Sequence, residues 1–234
     1  MVYVMSDIHG YPFEKVTSLP QKAGFSDRDF LFVLGDVVDR GSEGIRLLQW
    51  MMLQPNVELI LGNHEAMLLS CDFVFDEIDE KFLANYGTEK YRLLQTWQAN
   101  GAAPTLKELT KLSYAEREDV LEYLREAPLF DAVSLRGRDY LLTHSGLGNF
   151  DPAKKLSAYT PDELLWNRPA LTDAYYDDMT VVFGHTPTAY YGEAYAGKIL
   201  TAETWINVDA GAGCGFAPAL LCLDNRKEYY IRET

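Results

Sequence analysis

The chain predicts an α/β fold in which parallel strands carry a polar cluster at their carboxyl ends. Three observations predict it. Short apolar runs alternate with helix-patterned stretches through the first part of the chain. Five apolar runs stop at a small residue followed by Asp, Asn or His. The last third holds further β-type runs with Gly-rich joints.

The elements follow in order. Tyr3–Met5 leads into Ser6, Asp7, Ile8, His9 and Gly10. Pro12–Ala23 reads as a helix. Phe30–Leu34 leads into Gly35 and Asp36. Ser42–Gln54 is helical in pattern, with Ile45, Leu48 and Met52 on one face. Leu59–Leu61 leads into Gly62, Asn63, His64 and Glu65. This β-α-β-α-β order implies parallel neighbours whose runs are apolar because both faces are buried. From about Asp72 to Ala127 charge and helix formers dominate, and two or three helices are expected there as an insert or cap. Tyr140–Leu142 then ends in Thr143 and His144, and Val181–Phe183 ends in Gly184 and His185. Ala189–Tyr195, Ile199–Val208, Ala219–Leu223 and Glu228–Ile231 read as strands of antiparallel hairpin character. Ligands of parallel sheets collect at strand carboxyl ends, where the polar residues fall. Asp7 and His9 are two apart, so in extended chain they point the same way.

Composition bounds the function. The 234 residues fit one large domain or two small ones, with 47% apolar residues to build a core. The formal net charge is −14, which argues against nucleic acid or an anionic membrane as partner. Three cysteines without CxxC spacing disfavour disulfides or structural zinc and suit a reducing cytosol. No secretory pattern and no run of 18 apolar residues is present, so a cytoplasmic protein is expected.

The candidate donors are Asp7, His9, Asp36, Asn63, His144 and His185, all nitrogen or oxygen. Each histidine alone reads as structural. The conjunction decides, because all four histidines of the chain follow strand-like runs. Six donors exceed one tetrahedral ion. They suit two divalent ions about 3.5–4 Å apart sharing a carboxylate, with a bridging hydroxide as nucleophile. Such a set suits manganese, iron or zinc better than a Cys-rich structural zinc site does. Arg40, beside Asp39 in Gly35-Asp-Val-Val-Asp-Arg-Gly41, suits two phosphoryl oxygens. Arg168, in Leu164-Leu-Trp-Asn-Arg-Pro169, suits either a surface ion pair or the same task.

These segments resemble the metal-dependent phosphoprotein phosphatases, a serine/threonine phosphatase family within the calcineurin-like metallophosphoesterases. The resemblance rests on Ser6-Asp-Ile-His-Gly10, Gly35–Gly41, Gly62-Asn-His-Glu65, Thr143-His-Ser-Gly146 and Gly184-His-Thr186. It implies a β-sandwich of mixed sheets flanked by helices (α/β/β/α), here one domain over 1–234 with a helical insert at about 72–127. It implies Asp7, His9 and Asp36 on one metal, with bridging Asp36, Asn63, His144 and His185 on the other. It implies that His64 protonates the leaving alkoxide, oriented by Asp39, and that Arg40 and Arg168 clamp the phosphoryl group. Glu65 is expected to support the ligands without binding metal. The implied partner is a phosphorylated protein or peptide, or else a nucleotide. Two alternatives stand beside it: a dinucleoside polyphosphate hydrolase, and a non-catalytic metal-binding regulator. Ser6 and Ser145 replace glycines usual in the family. Cys214 is either substrate-facing or a small buried thiol.

Overall fold

The computed structural model describes residues 1–76 and 87–231. Two five-stranded sheets form its framework. The first has the order β10-β9-β1-β2-β3, built from Glu228–Tyr230, Ala219–Cys222, Val2–Met5, Phe30–Val33 and Val57–Leu59. The second has the order β4-β5-β6-β8-β7, built from Phe130–Leu135, Arg138–Thr143, Met179–Phe183, Trp205–Asn207 and Leu200–Thr201. The triplets β1-β2-β3 and β5-β6-β8 are parallel, while the outer strands pair antiparallel. Both sheets are therefore mixed, as the α/β/β/α expectation requires.

The period of two along each strand explains the uninterrupted apolar runs. Val4, Phe32, Tyr140, Leu142, Val182, Ile206 and Leu221 fill the space between the sheets. Tyr3, Met5, Leu31 and Val33 point the other way, under the helices Phe13–Ala23 (α1), Gly44–Met52 (α2) and Asn63–Ser70 (α3). Leu141, Val181, Phe183 and Trp205 pack outward against Leu147, Tyr159, Leu164 and Tyr175. Every central strand has two buried faces, so no polar alternation remains to be read.

Among the described residues of the predicted insert three helices are present: Thr88–Ala99 (α4), Ala103–Leu109 (α5) and Tyr114–Glu126 (α6). A 3₁₀ turn covers Asp72–Phe75, and residues 77–86 of the predicted insert lie outside the described residues. A short helix, Pro161–Leu165 (α7), follows later. Two strand expectations need correction. Ala189–Tyr195 is not a strand but two 3₁₀ turns, Thr188–Tyr191 and Glu193–Tyr195, divided by Gly192 at φ 132°. A left-handed glycine ends the extended run there. Ile199–Val208 is also two short strands, β7 and β8, and β8 joins the sheet parallel to β6. Strand β4 was not anticipated, because it alternates only partly buried positions. No helix among the described residues is long and apolar enough to cross a membrane.

The sandwich interior supplies a stability test. Leu221 is 2% exposed between the sheets and lies away from the polar edge. Leu221→Ala is expected to cost about 2–5 kcal/mol, read as a lower urea midpoint at unchanged m-value. A loss well under about 1 kcal/mol would contradict this packing.

Candidate metal centre

The carboxyl ends of the parallel strands from both sheets meet at one edge, and the sequence-predicted donors lie in the loops that leave them. Asp7 follows β1, Asp36 follows β2, and Asn63 opens α3 just beyond β3. His144 follows β5 and His185 follows β6. Backbone bonds tie these loops together. Asp7 N donates to Gly35 O at 3.0 Å, His9 N to Asp36 O at 2.8 Å, and Gly184 N to His144 O at 2.8 Å. Asp7, His9, Asp36, Asp39, Arg40 and His185 all have positive φ, between 46° and 68°. Non-glycine residues rarely hold that conformation unless their surroundings impose it. The extended geometry expected for Asp7 and His9 is thus replaced by two left-handed residues.

Close approach is as demanding as the dihedrals. Gly35 has φ 83°, and a Cβ there would lie 2.5 Å from Gly62 Cα and 2.8 Å from His144 Nδ1. A side chain on Gly184 would collide with Ser6 and Asp7. Glu65, fully buried, staples the β2 loop to α3. Its carboxylate accepts from Asp36 N and Val37 N at 2.8 Å and from Gly62 N and Val38 N at 3.1 Å.

The donors form two tight groups that share Asp36: His9, Asp36 and His64, and Asp36, His144 and His185. His144 Nδ1 donates to Leu34 O at 2.7 Å and His9 Nδ1 to Val38 O at 3.0 Å. Those carbonyls fix the tautomers and leave each Nε2 lone pair facing inward. His144 Nε2 and His185 Nδ1 both lie 2.8 Å from Asn63 Oδ1. Asp36 Oδ1 is 3.4 Å from His144 Nε2, and its Oδ2 is 3.6 Å from His9 Nε2. Electron-rich atoms therefore converge without protons enough to pair them. Burial, then neighbouring positive groups, hold His185 down to about 2. Burial also lowers His144 and places His9 well below the usual histidine range. Burial and the nearby Asp36 raise Asp7 to about 6. Neutral imidazoles beside crowded carboxylates fit divalent cations, which reverse the repulsion.

Asp7 sits outside the two tight groups. Its Oδ2 accepts from His185 N at 2.8 Å and from the Ser6 hydroxyl, so Ser6 acts directly on a candidate donor. His64 sits inside a group, yet both its nitrogens are engaged. Nδ1 donates to Asp39 Oδ2 at 2.7 Å, and Nε2 lies 3.1 Å from Arg40 Nη2. Burial opposes charge on His64, but Asp36 and the bond to Asp39 prevail and raise its pKa. Arg40 has no ion-pair partner among the described residues, and Arg168 is exposed, with its charge reaching His185. Cys214 is exposed, which removes the buried-thiol reading, and the adjacent Gly213 rests on His9 and Arg40.

Three residues at this edge were not singled out from the sequence. Asp209 follows β8, is 2% exposed, and has its pKa raised well above normal by burial and by Asp7. Its signal was partial: Trp205–Val208 is a strand-like stretch interrupted by Asn207 that ends in Asp209-Ala210-Gly211. Trp97 Nε1 donates to Asp39 Oδ2 at 2.9 Å, and Thr105 Oγ1 donates to Asp39 Oδ1 at 2.7 Å. Nothing local marks those two.

Two clefts of about 360 Å³ flank the cluster. One is lined by His9, Tyr11, Arg40, Glu43 and Gly213 among others. The other lies between Asn63, Met67, Leu93, Thr96 and Trp166.

Comparison with known proteins agrees with this geometry. A family model described as calcineurin-like phosphoesterase matches residues 1–211. Serine/threonine-protein phosphatase 2 of Salmonella typhimurium is 25% identical over 215 residues, covering 91% of this chain and 88% of that protein. A symmetrical bis(5'-nucleosyl)-tetraphosphatase of an Acidovorax species is 33% identical over 150 residues. That match spans 62% of this chain and only 44% of that relative. Among solved structures, one provisionally described as a diadenosine tetraphosphatase superposes with TM-score 0.65 at 19% identity. It covers 97% of this chain and 90% of its own. A Saccharomyces cerevisiae protein serine/threonine phosphatase superposes with TM-score 0.58 at 18% identity, covering 100% and 80%. These two likenesses concern the fold.

Asp36 belongs to both groups, which gives a direct test. Asp36→Asn is expected to reduce bound metal to about one ion per chain or fewer, measured by elemental analysis after gel filtration. Two tightly retained ions in the variant would refute the shared role.

Proposed function

The chain belongs to the calcineurin-like phosphoesterase family, and from that membership we propose a metal-dependent phosphomonoesterase acting on phosphoserine and phosphothreonine in proteins. The observation that carries this reading is the His64–Asp39 pair beside the shared Asp36. A serine or threonine alkoxide leaves poorly unless protonated, and an imidazole held by a carboxylate is suited to that task. A nucleotide leaving group needs no such proton.

In this reading Asp7, His9 and Asp36 would hold one divalent ion, and Asp36, Asn63, His144 and His185 would hold the other. Two such ions, with manganese the preferred choice, would supply Lewis-acid charge and an activated water. The chain's own residues do the rest. Asp39 keeps the His64 Nδ1 proton directed inward, so Nε2 faces the cleft. Arg40 turns from His64 Nε2 to the phosphoryl oxygens, which leaves Nε2 free to carry the proton it delivers. Arg168 adds a second guanidinium from the rim. Arg40 is the only Lys or Arg among the described residues lining the two flanking clefts, and the net charge is −14. That environment favours a single phosphoryl group over a polyphosphate chain. The helices from about 72 to 127 are proposed as the substrate-selecting face of a single domain, with the phosphoprotein as partner and the cytoplasm as its place.

The second reading is hydrolysis of dinucleoside polyphosphates, favoured by the 33% identity to a symmetrical tetraphosphatase. Phosphate release from a phosphoserine peptide and from diadenosine tetraphosphate, compared with Mn²⁺ present, separates the two. A faster peptide reaction is expected; a much faster dinucleotide reaction would overturn the proposal. His64→Asn is expected to keep its metals and to lose about 10²–10⁴-fold in rate on the phosphoserine peptide. The loss on p-nitrophenyl phosphate, whose leaving group is good, is expected to be far smaller. Equal losses would remove the acid role.

A further inference from the structure

We propose that Trp97 and Thr105, delivered by the helical insert, are positioning residues for the acid, so that the insert is part of the catalytic machinery and not only a substrate-facing cap. The inference rests on the acid role proposed for His64. It begins with Asp39, which is fully buried and holds a left-handed backbone at φ 68°. A buried carboxylate is costly unless its lone pairs are filled, and its orientation follows whichever donors fill them.

His64 supplies one donor; the described donors from outside the motif loops come from the insert. Trp97 Nε1 meets Oδ2 at 2.9 Å, the same oxygen that His64 Nδ1 meets at 2.7 Å. Thr105 Oγ1 donates to Oδ1 at 2.7 Å and accepts from Asp39 N at 2.8 Å. One hydroxyl thus locks the Asp39 side chain against its own backbone. Between these two residues, Gly101 O accepts from Arg40 N at 2.9 Å. The insert therefore grips Asp39 and Arg40 in succession.

The placement of Trp97 is informative in itself. It is the one buried residue of α4, a helix whose remaining side chains are at least partly exposed. Its ring joins the core with Leu68, Ala102 and Leu109, while its N–H is spent on the Asp39 carboxylate, so one residue both anchors α4 and reaches the acid pair. The neighbouring Thr96 and Leu93 line the cleft beside Asn63 and Trp166. A single rigid helix thus presents one face to the cleft and one side chain to the acid pair. Substrate seated in that cleft would bear on the same element that orients His64.

The test removes each donor while keeping its shape. Trp97→Phe deletes the indole N–H, Thr105→Val deletes the hydroxyl, and Thr105→Ser restores it. Each deletion is expected to lower kcat on a phosphoserine peptide roughly 10- to 100-fold, the worth of a hydrogen bond to a charged group. KM, bound metal and the rate on p-nitrophenyl phosphate should change by less than about threefold, and Thr105→Ser should recover most of the loss. His64→Asn, run in parallel, separates the acid role from the positioning role. Selective loss in His64→Asn but none in Trp97→Phe and Thr105→Val would overturn the positioning role and leave the acid role standing. Equal loss on both substrates in His64→Asn would overturn both. If Trp97→Phe fails to fold, the Thr105 pair decides alone: valine equal to wild type overturns the inference.

Discussion

The molecule is organised around one electrostatic constraint: several carboxylates are buried together at a single edge with no buried ammonium or guanidinium among the described residues to offset them. Asp7, Asp36 and Asp209 are each 2% exposed and Glu65 is fully buried. Burying such groups costs several kcal/mol apiece unless each finds compensation. Glu65 finds it in four backbone N–H groups. Asp39 finds it in His64, Trp97 and Thr105. Asp36 and Asp7 find only part of it, and the three imidazoles beside them are held neutral by burial. A centre of this kind is complete only with cations inside it.

The fold can be understood as the means of assembling that centre. Two sheets present the carboxyl ends of their parallel strands to the same edge, and the loops leaving them must turn within a few residues. Six site residues accept left-handed backbone to do so, and Gly35 and Gly184 permit contacts that a side chain would block. Strain concentrated at one edge is sustained by the apolar layer between the sheets, where Phe32, Leu142, Val182 and Leu221 interlock.

Much of this was legible in the sequence because its signal is local. An apolar run, a small residue and a donor recur five times, and each repetition marks a strand end at the cluster. Asp209 carried the same signal less plainly, since its run lay inside a stretch that resembled one long hairpin strand. What escaped was non-local or conformational. Trp97 and Thr105 stand 58 and 66 residues from Asp39, and no spacing rule connects them. The 3₁₀ turns at Thr188–Tyr195 have strand-like composition, and only the backbone of Gly192 separates the alternatives. Strand β4 lies at a sheet edge with mixed burial, so its pattern is weak.

The acid pair and the cation centre are two answers to one problem, charge held out of water at a strand edge. In the proposed reading Asp7, His9, Asp36, Asn63, His144 and His185 would hold divalent ions that supply an activated water, and His64 would hold the proton for the departing oxygen. Both depend on Asp36, whose oxygens lie 3.4 Å from His144, 3.6 Å from His9 and 3.8 Å from His64. The most direct measurement is a calorimetric Mn²⁺ titration of the chelator-treated protein, with electron paramagnetic resonance of the saturated sample. A shared Asp36 predicts a stoichiometry of two and an exchange-coupled spectrum. Saturation at a single ion, or two ions with independent spectra, would contradict the account.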